Sequence, residues 1–370
     1  MARIAIGLCG EGRGHATRMA TLVERLQGQH EIMMFSFAEG FAFLRQRFPA
    51  GASPVRIVEI PGIRFRYTRE RIDLPRSIAA GLHYKYRQVW PLVDRLCPEM
   101  KKFGADLVVT DFEPALPRAG QRLGIPFVSV DHQHFLRSYD LSGLSLFLRT
   151  WAFFMGRVVS MYIKEPADTV VSSFFRPPLR KGWEHVVQTG PLLRSEILRA
   201  QPRDGGFILS YFRRHTSREA IEALTDCGMP VKVYGLGRQE DFRNISFHSI
   251  DEHCFMEDLA SCRCMISAAG NQLIGEALHL GKPMLLLPER IHAEQRINSH
   301  FLARMGCGDS ELLERVTRKR VGEFLGKLDD FRGAMVGERK GIDGTPEVLR
   351  VLERRLVNPN GRSASGIGRT

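Results

Sequence analysis

A turn of small residues between an apolar strand and a helix is the stretch of this sequence best suited to bind an anion. Residues 265–267 are an apolar run typical of a buried strand, and the small residues 268–270 follow. Residues 272–280 have helical apolar spacing, Gly281 ends that helix, and 284–287 predict a second buried strand. Free N–H groups and the dipole at such a helix start favour a phosphate group, and small residues let it reach the backbone.

Three polar side chains accompany this unit and suit hydrogen bonds to hydroxyl groups. Glu276 lies just over one turn into the helix, where it is placed to accept hydrogen bonds from a ribose. Glu294 and Gln295 follow the next strand, at the sheet edge where ligands of parallel sheets bind. An ordinary β-α-β unit with Glu276 and Glu294 on solvated faces has the same spacing, so the pattern alone leaves both interpretations open.

The first predicted strand leads into a glycine-rich turn that ends in a histidine. Residues 4–8 are apolar, the turn over 10–14 contains three glycines, and His15 precedes a helix predicted over 16–26. An imidazole at a strand end can serve as a general base, because its pKa lies near neutral pH. A polar residue that merely starts a helix is the alternative interpretation.

Two other glycine-rich phosphate motifs fit the sequence less well. A dinucleotide-binding turn needs G-x-G-x-x-G, and the third glycine position is His15 in one register and Thr17 in the other. Glu39 after the second strand could still bind a ribose, so a Rossmann oxidoreductase stays a weaker alternative. A P-loop is excluded at Gly281 because Pro283 stands where Ser or Thr is needed.

Other strand ends of the first half supply further polar groups. Asp111 follows an apolar strand and suits the orientation of an imidazole, with Glu113 as the reserve and a helix or turn cap as the alternative. Asp131, His132 and His134 close the next strand, so we expect them to contact a substrate. The spacing of the two histidines is poor for a metal, and we expect neither a bound metal nor a resident cofactor.

Alternating strand and helix patterns predict an α/β protein with two doubly wound parallel sheets. We expect an N-terminal domain over 1–192, a C-terminal domain over 205–345, a linker within 190–206, a terminal helix over 346–357, and a disordered Gly/Ser/Arg-rich tail over 358–370. Strands are predicted near residues 3–8, 31–37, 55–60, 106–110, 126–130, 168–172, 185–189, 206–211, 230–234, 245–248, 264–267 and 284–288.

The positive charge is concentrated in the first half of the chain. Residues 1–200 contain 28 Lys and Arg against 18 Asp and Glu, whereas residues 201–370 contain 25 against 23. Such a field favours an anionic partner such as a membrane surface or a lipid-linked phosphate, or else it is a basic surface without a partner. No nucleic-acid module is visible, so nucleic acid is excluded as the expected partner.

Seven scattered cysteines and the absence of a signal peptide or spanning segment predict a cytoplasmic protein with reduced thiols. Residues 141–163 are apolar with two arginines. They predict either an amphipathic segment on a membrane surface or a pair of core helices that is broken near Gly156.

The motifs together resemble those of GT-B glycosyltransferases. Small residues, Glu276, Gly-Lys-Pro, Glu294-Gln295 and Asn298 occur in the order of the donor-nucleotide segment of the UDP-glycosyltransferases and of the enzyme that adds N-acetylglucosamine to lipid I in peptidoglycan synthesis. The Gly-x-Gly-His turn and Thr-Asp-Phe-Glu-Pro also resemble a group of uncharacterised GT-B transferases. The resemblance implies two Rossmann-like domains facing across a cleft, and an inverting, metal-independent transfer from a nucleotide diphosphate sugar, expected to be a UDP-sugar.

The resemblance also implies roles for particular residues. In the resemblance, His15 matches the general base and Asp111 matches the carboxylate that orients it. Glu276 matches the residue that binds the ribose, and Glu294 and Gln295 match the residues that bind the donor sugar. The backbone at Ile250 would bind the base. Arg13 and Arg214 are further cationic candidates for the diphosphate. The remaining expected donor-binding residues lie in the two turns and after the strand near 206–211, and they are Gly12, Gly14, Ala269, Gly270, Asn271, Gln272 and Arg213.

The acceptor is expected to be a hydroxyl compound that contacts Glu113, Asp131, His132 and His134, with lipid-linked and cell-envelope compounds among the candidates. A peripheral membrane contact through the basic N-terminal domain is expected for such an acceptor. Two alternatives stay open: a nucleotide-sugar 2-epimerase of the same fold, and a non-enzymatic protein that binds nucleotide sugars.

Overall fold

The computed structural model describes residues 1–63, 67–68, 71–212, 216 and 218–359. In the first half, the strands are β1 (Arg3–Leu8), β2 (Glu31–Ser36), β3 (Arg56–Glu59), β4 (Tyr67–Thr68), β5 (Arg71–Ile72), β6 (Leu107–Asp111), β7 (Phe127–Asp131), β8 (Asp168–Ser172) and β9 (Val187–Thr189). Seven of them form one parallel sheet in the order β3-β2-β1-β6-β7-β8-β9, while β4 and β5 pair with each other in antiparallel fashion.

Helices cover both faces of this sheet. They are α1 (Arg13–Leu26), α2 (Ala38–Arg47), α3 (Leu74–His83), α4 (Val89–Phe103), α5 (Ala115–Arg122), α6 (Phe135–Ser138) and α7 (Leu146–Tyr162), with the π-helical turn Tyr84–Gln88 between α3 and α4. The central strands β1, β6 and β7 are almost entirely buried, as expected for parallel strands that are packed on both sides.

The second half repeats this architecture. A short helix α8 (Ser195–Arg199) lies in the connection, and the strands β10 (Ile208–Tyr211), β11 (Val231–Tyr234), β12 (Ile245–His248), β13 (Cys264–Ser267), β14 (Met284–Leu286) and β15 (Gly308–Ser310) form a parallel sheet in the order β12-β11-β10-β13-β14-β15. Its helices are α9 (Arg218–Glu222), α10 (Glu252–Ser261), α11 (Asn271–His279), α12 (Ala293–Arg304), α13 (Arg318–Leu325), α14 (Leu328–Glu338) and α15 (Thr345–Val357), with the 3-10 turn Leu313–Arg315.

The predicted α/β architecture is confirmed, and each predicted strand is present with ends that differ by at most two residues. The short strands β4, β5 and β15 were not predicted. The first helix begins at Arg13 rather than at residue 16, because Gly12 with a φ of 77° serves as its N-cap.

The connection between the halves is firmly packed. Leu192 and Arg194 are buried, and Pro191 lies so close to Gly275 of α11 that a Cβ on that glycine would be 2.2 Å from the proline Cγ. Phe175 of the first half also stacks on Phe301 of α12, with 4.1 Å between the ring centroids. The two halves therefore share an apolar contact beside the connection.

The last helix returns to the first half of the chain. Val348, Val351 and Leu352 of α15 join the apolar cluster that contains the core of β1 and α1. Arg354 and Arg355 both bind Asp168 at the start of β8. Helix α15 thus packs against the first half of the chain.

Residues 146–162 form one continuous helix, so the break expected near Gly156 was wrong. A helix passes this point because Gly156 lies against the backbone of Leu136, where a Cβ would be 3.2 Å from the carbonyl oxygen. The inner face of α7 is buried, and its outer face exposes four large apolar side chains, Leu146, Phe147, Phe153 and Phe154.

None of the helices among the described residues has the length and apolar character needed to cross a bilayer. Several residues named above lie outside the described part of the chain, namely Arg213, Arg214 and residues 360–370 of the tail.

Candidate functional site

The turn after β1 leaves the start of α1 open. Gly12 is the N-cap, and no side chain caps the helix. A Cβ built on Gly12 or on Gly14 would meet no atom within 4 Å, so space lies beside both residues. By contrast, Gly10 is needed for packing, because its Cβ would be 1.8 Å from the carbonyl oxygen of Phe37. The uncapped start of α1 therefore has open space beside it, which suits the binding of an anion.

The structure brings His15 and Asp111 into direct contact. His15 Nδ1 lies 2.8 Å from Asp111 Oδ1, and the aspartate is fully buried while the imidazole is 14% exposed. A carboxylate can only accept, so Nδ1 carries the hydrogen and donates it. The other ring nitrogen, Nε2, is then left with a lone pair, which is the form that a general base requires.

Arg18 completes this cluster and was missed by the sequence analysis. Its Nε donates to Asp111 Oδ2 and its Nη2 to Oδ1, both at 2.9 Å, and the side chain is buried. Burial lowers the pKa of Arg18, but the charge and hydrogen bonds of Asp111, together with the charges of Asp131 and Glu294, raise it overall, so the group remains charged. One sequence feature could have indicated Arg18: it lies three residues after His15, and this spacing places both side chains on one face of a helix.

Glu113 is directed to another helix. Its two oxygens accept from the backbone N–H groups of Ala115 and Leu116, so it caps the start of α5. Phe112 between the two acids has a φ of 59°, a left-handed conformation that bulky residues rarely adopt. Burial raises the pKa of Glu113, and the hydrogen bonds of the cap oppose this rise only in part.

A second carboxylate–imidazole pair lies at the end of β7. Asp131 Oδ2 is 2.6 Å from His134 Nδ1 and also accepts from the hydroxyl of Ser129. Burial alone would raise the pKa of Asp131, but the charge and hydrogen bonds of His134, together with Ser129, lower it to about 2. Asp131 is therefore a buried carboxylate that is charged at neutral pH.

His132 connects the two halves of the chain. Its Nε2 lies 3.2 Å from Asn298 Oδ1 of α12, and its Nδ1 lies 3.2 Å from the carbonyl oxygen of Ser172. Burial lowers the pKa of His132, which favours the neutral ring. Asn298 also donates to the carbonyl oxygen of Ala269, so the histidine is coupled to the turn before α11.

The turn before α11 is open on one side and anchored on the other. Gly270 is the N-cap of α11, no side chain caps the helix, and a Cβ on Gly270 would meet no atom within 4 Å. Asn271 anchors the turn, because its amide donates to the carbonyl oxygen of Ser172 and accepts from the N–H of Phe174. Gln272 donates to the carbonyl oxygen of Leu192 at 2.7 Å.

Glu276 lies inside an ionic cluster. Arg194 donates to both of its oxygens, from Nε at 2.9 Å and from Nη2 at 2.6 Å, and a third donor of Arg194 binds Glu252. Glu252 in turn binds Arg13 at the start of α1. Four alternating charges thus run from the turn beside His15 to the helix that carries Glu276.

The remaining predicted donor residues lie at nearby element ends. Glu294 is half-buried in the first turn of α12. Its charge partly opposes the burial that lowers the pKa of His132, and it contributes to the raised pKa of Arg18. Gln295 is buried and accepts from the N–H of Glu289 at 3.1 Å. Ile250 is half-buried and precedes α10.

The site is therefore a junction between the halves, since α1 touches α11 and ionic or polar pairs cross between them. It combines an oriented imidazole with two uncapped helix starts, which suits proton removal beside a bound anion. Among the residues that the structure describes, no group of three or more His, Cys, Asp or Glu side chains could hold a metal ion.

Known proteins share both the sequence pattern and the fold. The family model for glycosyl transferase family 1 matches residues 2–329. An uncharacterized glycosyltransferase of Methanosarcina mazei is 26% identical over 335 residues, which covers 83% of this chain and 84% of that protein. Another from Methanosarcina acetivorans is 24% identical and covers 96% of this chain and 98% of that protein.

Solved structures of glycosyltransferases superpose on nearly the whole chain. The calicheamicin glycosyltransferase CalG4 has a TM-score of 0.66 at 16% identity, covering 98% of this chain and 100% of that one. Medicago truncatula UGT71G1, solved with UDP-glucose, has a TM-score of 0.65 at 14% identity, with coverages of 96% and 98%. VinC, solved with dTDP, has a TM-score of 0.62 at 16% identity, with coverages of 96% and 99%. The chain belongs to glycosyl transferase family 1 and is a glycosyltransferase with the GT-B fold, two Rossmann-like domains built on parallel sheets.

Proposed function

We propose that this glycosyltransferase is an inverting, metal-independent enzyme that transfers a sugar from a UDP-sugar to an acceptor hydroxyl. The donor would bind to the domain over residues 205–345, and the acceptor would enter from the domain over 1–192. The observation that carries the proposal is the contact of His15 with buried Asp111, beside the open start of α1 and at the junction with α11.

The proposed reaction begins with the removal of a proton. His15 Nε2 takes the proton of the acceptor hydroxyl, while Asp111 stabilises the imidazolium through Nδ1–H. The acceptor oxygen forms a bond to the anomeric carbon as the bond from that carbon to the diphosphate oxygen breaks. Attack from the side opposite the leaving group inverts the configuration, and the nucleoside diphosphate departs with the bonding electron pair.

The leaving diphosphate would be stabilised by the start of α11. The uncapped N–H groups after Gly270 and the helix dipole supply positive potential without a metal, and the space beside Gly270 admits the phosphate groups. Ala269, Asn271 and Gln272 hold this turn in place. Arg13 at the start of α1, together with Arg213, would add cationic side chains, and no resident cofactor is required.

In the proposed donor complex, Ile250 contacts the base, and Glu294 and Gln295 contact the sugar that is transferred. On the acceptor side, Asp131, His132 and His134 are buried and hydrogen-bonded to protein groups, which favours a role as a rigid wall of the cleft. Glu113 would support this side of the cleft indirectly, because it accepts from the first N–H groups of α5 and so holds the start of that helix in place.

We also propose that the protein is cytoplasmic, that the acceptor is lipid-linked, and that the protein meets a membrane through its first domain. The outer face of α7 exposes Phe153 and Phe154 beside Arg157, whose guanidinium lies 5.0 Å from the Phe153 ring. Aromatic and cationic side chains together suit a headgroup interface. The variant F153E/F154E should lose co-sedimentation with anionic vesicles, whereas V336E, which alters an exposed apolar residue of the other domain, should retain it.

A donor assay tests the proposed activity. A thermal-shift screen of nucleoside diphosphates and their sugars first selects the donor, and the donor is then incubated with and without acceptor hydroxyl compounds. Product that forms only with an acceptor, with inverted anomeric configuration and in the presence of EDTA, supports the proposal. Turnover of the donor alone would indicate a 2-epimerase, and binding without any product would indicate a non-enzymatic binder.

A further inference from the structure

The ion pair between Arg13 and Glu252 joins the starts of two helices that belong to different halves of the chain. Arg13 is the first residue of α1, and its Nη1 donates to Oε1 of Glu252, the first residue of α10. Both side chains are partly exposed, at 28% and 23%, respectively. The pair therefore connects the turn that precedes His15 with the helix that follows Ile250.

Glu252 is also held from its other side. Its Oε2 accepts from Arg194 Nη1 at 2.6 Å, and the side chain of Arg194 is only 9% exposed. The backbone near Arg194 is anchored as well, because the carbonyl oxygen of Leu192 accepts from the amide of Gln272 on α11. The carboxylate of Glu252 thus has little freedom to move, and it fixes the guanidinium that binds its other oxygen.

Arg13 has hydrogen-bond donors left for a ligand. A guanidinium carries five N–H groups, and among the residues that the structure describes Arg13 donates only to Glu252. Its guanidinium also lies 5.7 Å from the centre of the Phe43 ring, which supports it from a second direction. Open space lies beside Gly12 and Gly14, the two neighbours of Arg13 in the chain. The remaining N–H groups are therefore available next to a turn that has room for an anion.

Glu252 can influence a bound anion in two opposite ways. Its negative charge repels a diphosphate, but its contact with Arg13 removes conformational freedom that the arginine would otherwise lose on binding the ligand. The repulsion is weakened here, because two guanidinium groups bind this one carboxylate. The three charged groups together carry a net positive charge, which attracts a diphosphate.

We infer that Glu252 is a positioning residue, which orients Arg13 of the first domain toward the diphosphate of a nucleotide bound on the second. The inference rests on the proposed function, since it concerns the same nucleotide. Arg13 contacts the ligand, whereas Glu252 acts only through Arg13. The connection between the domains takes part indirectly, because Arg194 holds Glu252 in place.

Isothermal titration of UDP into the full chain tests this inference by the sign of the effect. E252M removes the carboxylate but keeps a side chain of similar length, and simple loss of a repelling charge would make UDP bind more tightly. We expect the opposite, a loss of affinity of about fivefold. R13M should lose about tenfold, because it removes the cation itself. E252M/R13M should bind UDP as R13M does, since Glu252 has no effect without Arg13.

The matched control is E257M, which makes the same change of charge on the same helix. Glu257 is 62% exposed and pairs with His253 on the surface of α10, so E257M should bind UDP within about twofold of the wild type. Should E252M fail to fold, E252Q serves in its place, because glutamine keeps a neutral acceptor for Arg13. E252Q should then bind UDP about twofold more weakly than the wild type.

Equal or tighter binding of UDP by the Glu252 variant overturns the inference. A further loss of about fivefold when E252M is added to R13M overturns it as well, because Glu252 would then act independently of Arg13. Failure of the wild-type chain to bind UDP is a different result. It would overturn the proposed donor site, and this inference with it, before any variant is compared.

Discussion

His15 and Arg18, one turn apart on α1, both hydrogen-bond the same carboxylate oxygen, Asp111 Oδ1. The guanidinium also donates to Oδ2, so Arg18 fixes the plane of the carboxylate, whereas His15 contacts only one of its oxygens. The imidazole is thereby oriented by an aspartate whose charge is already compensated. Within this cluster, orientation of the ring and selection of its Nδ1–H tautomer are the main contributions of Asp111.

The first prediction concerns the stability of this cluster. R18M leaves the fully buried Asp111 without its main counter-charge, so the free energy of unfolding should fall by about 3–5 kcal/mol. Urea denaturation followed by tryptophan fluorescence measures the change. R122A removes an exposed arginine paired with Asp94 and should leave the free energy of unfolding close to that of the wild type, because water screens this pair.

The double variant R18M/D111N distinguishes this mechanism from simple loss of packing. Because it removes the uncompensated charge, it should be more stable than R18M alone. Strictly additive losses in the two single variants would contradict the interpretation of Arg18 as the counter-ion of Asp111.

The second prediction concerns the proposed base. H15A removes the proton acceptor but leaves both helix starts intact, so transfer should fall by about 10²–10⁴-fold while donor affinity stays within a few-fold. Product formation under saturating donor and titration of the nucleoside diphosphate measure the two effects. H253A, at an exposed histidine of α10, is the matched control and should retain full activity. Turnover of H15A near the wild-type rate would remove His15 from the role of base.

The sequence predicted the strands well because parallel strands are buried on both faces and form continuous apolar runs, such as 107–110. The expectation that Asp111 orients His15 agrees with their contact in the structure, and it was available because glycines and polar residues at strand ends are local signals. The continuity of helix α7 was harder to predict, because a glycine within an apolar segment indicates a helix break. In the structure, Gly156 instead allows the helix to pack closely against Leu136.

The ionic partners could not be predicted in the same way. Arg18 and Asp111 are 93 residues apart, and Arg194 and Glu276 are 82 residues apart. The spacing from His15 places Arg18 on the same helix face, but nothing local to either arginine indicates which carboxylate it binds. Their roles follow from how the two sheets and the connection pack, which single-sequence patterns do not encode.

The third prediction follows from the pKa of Asp131, which is lowered from 3.8 to about 2. A lowered pKa in the folded state contributes stability above the unfolded pKa, and this contribution is lost as the pH falls toward 2. The pH-dependent part of the stability difference between wild type and D131N should therefore be about 2 kcal/mol above pH 4, and it should vanish near pH 2. Urea denaturation of both proteins between pH 2 and pH 6 measures it; a constant difference would show that His134 does not lower this pKa.

The fourth prediction concerns the docking of α15. Arg354 and Arg355 both bind Asp168, but their side chains are 49% and 5% exposed, respectively. R355A should reduce the free energy of unfolding by about 3 kcal/mol, because it breaks a buried pair. R354A should cost less than about 1 kcal/mol, because water screens the exposed pair. Equal losses in urea denaturation would mean that α15 is not held by the buried arginine.

The last prediction compares two glycines of the α11 segment. Gly270 has φ and ψ of −82° and 130°, which alanine also adopts, and its Cβ would meet no atom within 4 Å. G270A should therefore keep or slightly raise the Tm, by the equivalent of about 0.4–1 kcal/mol. The new methyl group would occupy the space beside the free N–H groups of α11, so UDP affinity should fall by about tenfold.

In G275A the methyl group would lie 2.2 Å from Pro191, and this variant should instead lose about 1–3 kcal/mol of stability. Thermal denaturation and titration of UDP separate the two effects, because steric exclusion of a ligand and strain in the protein act on different measurements. Unchanged UDP affinity in a stable G270A would show that the diphosphate does not bind at the start of α11.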